Sequence, residues 1–261
     1  DMGEVYDSII IGKERFDFIK GVNNFKSKMG EYFPNEIKAI EKYIDLIFSV
    51  NKVSAKFYIE KALSPIMSFF LSNYFRKKFL NYSDRTTYDV LSEITRNEKL
   101  IKVLCGQYGD YGLPPKQSSF AMHASLAKHY LNGGSVPNGG SSKILETIGK
   151  VIEKNGGTIL VRAEVNEIII ENNKTKGVKL TDQNCIYANT VISGTGVFNT
   201  FEKLVPSSIS IKHKYDEKLK KVKPSVGYIC LYVGLKGSSD DLKLPKNNLW
   251  IYPDDLDHDN C

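Results

Sequence analysis

The chain has 261 residues, 41% of them hydrophobic and 25% charged, an ordinary globular composition for one large domain or two small ones. Its net charge of +6 is modest, and the lysines are spread along it rather than gathered with RNP-like aromatics or a helix-turn-helix pattern. That argues against a nucleic-acid partner. Cys105, Cys185, Cys230 and Cys261 form no CxxC pair, so no metal site is expected and the thiols read as reduced, in a reducing compartment.

The first residue is Asp1, and no leader pattern of charged, apolar and small-residue regions follows it, so targeting information is expected elsewhere. VYDSIII (Val5 to Ile11) is β-branched and RFDFIKG (Arg15 to Gly21) alternates apolar with polar, which predicts a hairpin turning at Gly12 and Lys13. After Pro34, the residues Ile37, Ile40, Ile44 and Ile47 recur at spacings of three and four, the stripe of a core-facing helix.

Helical patterning continues from Val53 to Leu80 and contains the 13-residue apolar run Leu63 to Phe75, flanked by Lys56, Lys61 and Arg76 to Lys78. The run is too short for a bilayer core of roughly 30 Å. Burial is the favoured reading, since Pro65 interrupts the run. A peripheral membrane contact through basic flanks is the other.

Two more helices are expected over Tyr88 to Cys105 and Gln117 to Leu131, parted by YGDYGLPP (Tyr108 to Pro115), whose glycines and prolines forbid a continuous helix. SSKILETIGKVIEKNGG (Ser141 to Gly157) has serine before it, glycine after it and an apolar face of Ile144, Leu145, Ile148, Val151 and Ile152. It is the clearest helix in the sequence.

Short β-rich runs follow at Thr158 to Arg162, Val165 to Ile170, Lys176 to Leu180, Cys185 to Ala188 and Thr190 to Ser193, with a turn at Asn172 to Lys174. His213 to Val222 reads as a polar helix with a solvated charged face. Val226 to Leu235 and Leu249 to Tyr252 read as strands.

Glycine pairs at 133–134, 139–140 and 156–157 bracket a helix. Backbone amides there suit an anion or a flavin edge, and equally a plain loop and helix stop. VISGTGVFNTF (Val191 to Phe201) is a strand entering a Gly-x-Gly turn, weak evidence for a nucleotide because it is not GxGxxG.

YGDYGLPP, SSFAMHA (Ser118 to Ala124), HYLNGGSVPNGGSS (His129 to Ser142), VISGTGVFNTFEKLVP and LYVGLKG (Leu231 to Gly237) resemble the retinol saturase family, with counterparts from Gly21 to Pro253. That family is similar to phytoene desaturases and carotenoid isomerases. The resemblance implies an α/β (α+β) fold: part of an FAD-binding domain of the glutathione-reductase type with an interleaved helical substrate domain. The change from helices to mixed β and α divides the chain near Leu131, and with the resemblance this gives a mainly helical substrate domain with an N-terminal hairpin at 1–131, part of the FAD domain at 132–205 and substrate-domain strands at 206–261.

The implied activity is FAD-dependent saturation of a carbon–carbon double bond in a retinoid, with a hydrophobic polyene as substrate and NAD(P)H as a candidate electron source. A carotenoid isomerase or desaturase is the rival enzyme, and a non-catalytic lipid-binding module the rival from another class. By position the resemblance assigns Val165, Ser193, Gly194, Thr195 and Gly196 to FAD, and Ser119, Phe120, Met122, Gly139 and Gly140 to substrate. The family's GxGxxG unit has no match in this sequence, so the 261 residues alone are expected to bind FAD poorly. A cytoplasmic or membrane-associated location on the reducing side, the endoplasmic reticulum membrane in a eukaryote, is expected as well.

Reduction of a double bond needs a proton donor beside the hydride donor. Tyr108, Tyr111, His123, His129 and Tyr130 are the candidates, with Tyr111, His123 and Tyr130 carried forward. Against each stands ordinary helix packing, since His123 and Tyr130 are seven apart and can share a face with Phe120.

Overall fold

A computed structural model of the chain describes residues 1–61, 63, 76–223 and 227–260. Apart from Leu63, the apolar run Leu63 to Phe75 lies outside the described residues. Among the described residues no helix is long and apolar enough to cross a membrane. The chain forms two units, Asp1–Pro137 with Ser225–Cys261, and Asn138–Pro224.

In the first unit, strands β1 (Val5–Ile11) and β2 (Glu14–Ile19) form the expected hairpin. Gly12 supplies the positive φ of its turn, 58°, which glycine adopts without a Cβ clash. Strand β6 (Asn248–Tyr252) pairs parallel to β1 on its other side, giving the order β2-β1-β6 with Ile9 opposite both Phe16 and Trp250.

Helix α1 (Val22–Tyr32) buries Phe25 and Met29, a four-residue step on one face. Helix α2 (Ile37–Lys61) buries Ile40, Ile44 and Ile47 as its stripe predicts, and Val50 with them, while Ile37 at its first turn stays exposed. Together with Ile9, Phe16 and Phe18 these side chains make the core, each contributing roughly 1.5–3 kcal/mol of burial.

The single helix expected over Tyr88 to Cys105 is two, α3 (Thr87–Ser92) and α4 (Glu98–Leu104). Each has its own cap: Thr86 accepts from the Asp89 amide, and Asn97 from the Leu100 amide, both at 3.1 Å. A side chain that satisfies a free helical N–H restarts a helix where periodicity alone would continue it. Helix α5 (Phe120–Tyr130) then packs on α2.

The second unit holds helix α6 (Ser142–Lys154), then the antiparallel meander β3 (Val165–Glu171), β4 (Lys174–Leu180) and β5 (Cys185–Tyr187). Asn172 and Asn173, both at positive φ, make the β3–β4 turn, a conformation asparagine tolerates. A π-helical turn (Asn199–Leu204) and short helices α7 (Ser207–Lys212) and α8 (Tyr215–Leu219) complete it. The apolar face of α6, with Ile144, Leu145, Ile148 and Val151, is exposed.

Three expected strands do not form: residues 158–162, 190–193 and 227–235 are irregular. β-branched side chains supply propensity, but a strand exists only where a neighbour completes its ladder. Among the described residues no strand pairs with these segments, and Val161, Ile192 and Ile229 are largely exposed.

Candidate functional site

The segment Cys105 to Gly112 lies flat on β1 and β6. A Cβ on Gly106 would stand 2.7 Å from Ile9 Cδ1, and one on Gly109 2.9 Å from Trp250 Cζ3, so glycine at both positions permits the approach. Tyr252 Oη donates to the Gly106 carbonyl at 2.6 Å and holds the segment down. From this mount two side chains, Gln107 and Tyr111, reach buried polar partners.

Gln107 Nε2 donates to the carboxylate of Asp7, which is fully buried on β1. Asp7 Oδ1 makes no well-formed hydrogen bond among the described residues. Burial holds the Asp7 carboxyl above its usual range, opposed by the amide and indole groups of Asn248, Gln107 and Trp250.

Tyr111, at the end of the segment, meets His123 of α5: its hydroxyl lies 3.2 Å from Nδ1. The other ring nitrogen, Nε2, lies 2.9 Å from the hydroxyl of Tyr43 on α2. His123 is 3% exposed, and burial lowers its pKa to about 4, so the ring is neutral at ordinary pH. Burial also pushes both phenols well above their usual range.

Tyr130 belongs to a different cluster. Its ring stacks on Tyr6 at 5.7 Å, and burial followed by the charge of Asp110 pushes its phenol up. His129 is exposed, edge-on to Tyr130 at 5.5 Å. Tyr108 stacks with Tyr252 and stands edge-on to His258 at 5.0 Å. Of the proton-donor candidates, then, the structure joins Tyr111 to His123 and sets Tyr108, His129 and Tyr130 apart.

Ser119 is the residue before α5, Phe120 is fully buried against His123, and Met122 is exposed. In the second unit, Gly139 and Gly140 precede α6 at φ 86° and 81°, and this backbone conformation is what requires glycine there. Val165 opens β3 opposite Leu180. The hydroxyls of Ser193, Thr195 and Thr200 bond to one another at 2.7–3.3 Å. Ser193 and Gly196 border a cavity of about 600 Å³ whose walls include Ile168, Val191 and Phe201, a size typical of small-molecule sites.

Sequence reasoning did not single out Tyr43, Asp7 or Gln107. A signal was available for two of them. Tyr43 places a polar tip within the apolar stripe of α2, and Asp7 is an acid inside a β-branched run; a buried polar group in such a setting needs a partner. Gln107 carried no signal. Among the described residues no cluster of His, Cys, Asp or Glu is arranged to hold a metal ion.

No family model matches the sequence. Its curated relatives are retinoid and carotenoid enzymes, so the resemblance read from the motifs is borne out. The all-trans-retinol 13,14-reductase of Danio rerio is 31% identical over 95% of this chain and 43% of that protein. The prolycopene isomerase of Daucus carota is 24% identical over 82% of this chain and 35% of that protein. The chain thus spans less than half the length of these relatives. An oxidoreductase from Methanosarcina mazei overlays 63% of this chain and 40% of its own at a TM-score of 0.47 and 23% identity.

Proposed function

We propose that these 261 residues carry the proton-handling side chains of a flavin-dependent oxidoreductase that saturates a carbon–carbon double bond of a retinoid. The observation that carries the reading is the 31% identity to an all-trans-retinol 13,14-reductase over nearly the whole chain. The Tyr43–His123–Tyr111 network supports it, because such a reduction needs a placed proton donor in a dry site.

The turn at Gly194 to Gly196 in the second unit supports an FAD-facing role for this part of the chain. A Cβ on Gly194 or Gly196 would meet nothing within 4 Å, so a flat ring can approach the backbone of the turn with no side chain between. Ser193 and Thr195 offer hydroxyls beside it, and Val165 an apolar contact. The flavin, once bound, supplies hydride transfer. The residues of this chain orient, exclude water and hold the proton.

Homology to prolycopene isomerase favours a second reading, redox-neutral isomerisation on the same scaffold. One measurement separates the two. The full-length protein, purified with its flavin and reduced, is incubated with all-trans-retinol. A product two mass units heavier is expected; an isomer of unchanged mass selects the second reading. A folded full-length protein that neither absorbs as a flavoprotein nor takes up FAD defeats both.

A further inference from the structure

The direction of the hydrogen bonds in the Tyr43–His123–Tyr111 network follows from burial alone. A neutral imidazole has one N–H and one bare nitrogen, so it donates to one tyrosine and accepts from the other. Tyr43 is 2% exposed, and its phenol meets no hydrogen-bonding group except His123 Nε2 among the described residues. If Nε2 carried the proton, the Tyr43 O–H would be a buried donor without an acceptor, a cost of about 1–3 kcal/mol. Tyr111 faces no such constraint, because it is only half-buried.

We infer that Tyr43 donates to His123 Nε2 and thereby fixes the Nδ1–H tautomer, which donates to the Tyr111 oxygen and leaves the Tyr111 O–H free to act on a bound molecule. Tyr43 and His123 are positioning residues in this scheme, and Tyr111 is the proton donor. The role assigned to Tyr111 rests on the reading of the chain as a double-bond reductase; the tautomer does not.

The chemistry is consistent with that direction. A bound flavin would supply the hydride, and Tyr111 would give its proton to the carbon beside the one that receives it. The O–H bond breaks and a C–H bond forms. The phenolate oxygen left behind keeps the Nδ1–H bond from His123, which stabilises the charge where it develops. Water then returns the proton. Burial, which pushes the Tyr111 phenol up, makes this donated bond necessary; a phenol in apolar surroundings with no donor at its oxygen is a weaker acid. His123 stays neutral because burial lowers its pKa to about 4, so the tautomer persists at ordinary pH.

The chain labelled with 15N in histidine gives a direct readout. The His123 ring is expected to show a protonated, pyrrole-type Nδ1 and a bare, pyridine-type Nε2 at pH 7. The Tyr43→Phe variant removes the one donor to Nε2 and is expected to shift that nitrogen and admit the Nε2–H form. A protonated Nε2 in the unaltered chain overturns the inference whether or not any variant folds.

In the full-length flavin-loaded protein, Tyr111→Phe is expected to lower kcat by about 10²-fold or more. Tyr43→Phe is expected to lower kcat about tenfold at unchanged KM, the scale of one lost hydrogen bond. Wild-type kcat in Tyr43→Phe, or in Tyr111→Phe, overturns the assigned roles. If the unaltered protein reduces no retinoid, the proposed function fails while the tautomer measurement stands.

Discussion

His123 shows how one buried side chain ties stability to pH. Its pKa is lowered to about 4 in the folded chain by burial, against about 6.5 unfolded. A group depressed on folding contributes stability that is complete above the unfolded value and is lost as pH falls through the folded one. Between pH 6.5 and 4 the loss from this residue is on the order of 3 kcal/mol, at about 1.4 kcal/mol per pH unit. His123→Gln removes the titration, so its urea-unfolding stability should fall less steeply with acid than that of the unaltered chain. Parallel curves for the two proteins would mean that His123 titrates as an ordinary exposed histidine. The sequence marked His123 and Tyr111 as chemistry-bearing, but their pairing depends on Tyr43, 80 positions away in sequence from His123, and no local pattern encodes such a contact.

At the scale of elements, local signals succeeded where the element makes its own hydrogen bonds and failed where a neighbour is required. The hairpin, the stripe of α2 and the amphipathic α6 were all legible. The split between α3 and α4 was written in Asn97, which periodicity overlooked. Residues 158–162 and 227–235 show the opposite limit, since β-branched composition cannot supply a partner strand. The segment Cys105 to Gly112 holds only one short 3-10 turn, Tyr108–Asp110, yet it positions Gln107 and Tyr111, and its glycines set its depth. Gly106→Ala places a methyl 2.7–3.0 Å from three side-chain carbons of Ile9, itself fully buried in β1. Overpacking of this kind costs typically 1–3 kcal/mol. We expect Gly106→Ala to lower the unfolding midpoint accordingly and to lengthen the Tyr111–His123 contact. A variant with unchanged thermal stability would show that the segment has room to lift from the sheet.

Over the whole molecule, apolar burial is divided unequally. The contiguous core cluster lies in the first unit, from Tyr6 to Leu131 with Leu256. In the second unit the buried apolar residues are Ile168, Leu180, Val205 and Leu219, while the apolar face of α6 meets solvent. Local stability follows buried apolar contacts, and regions that have few of them open first. Amides of β3 and β4 are therefore expected to exchange with deuterium at least about tenfold faster than those of β1, a difference of ~1.4 kcal/mol in opening free energy. Denaturant unfolding followed by a probe in each unit should give two transitions rather than one. Ile148→Glu tests the same imbalance from the surface: a charge on an already exposed face should change stability by no more than about 0.5 kcal/mol. Uniform exchange across both sheets, together with strong destabilisation by Ile148→Glu, would require the α6 face to be buried in solution. In that case the second unit would own a core of its own, and its cavity beside Ser193 and Gly196 would be a rigid site rather than a surface that a bound ring helps to complete.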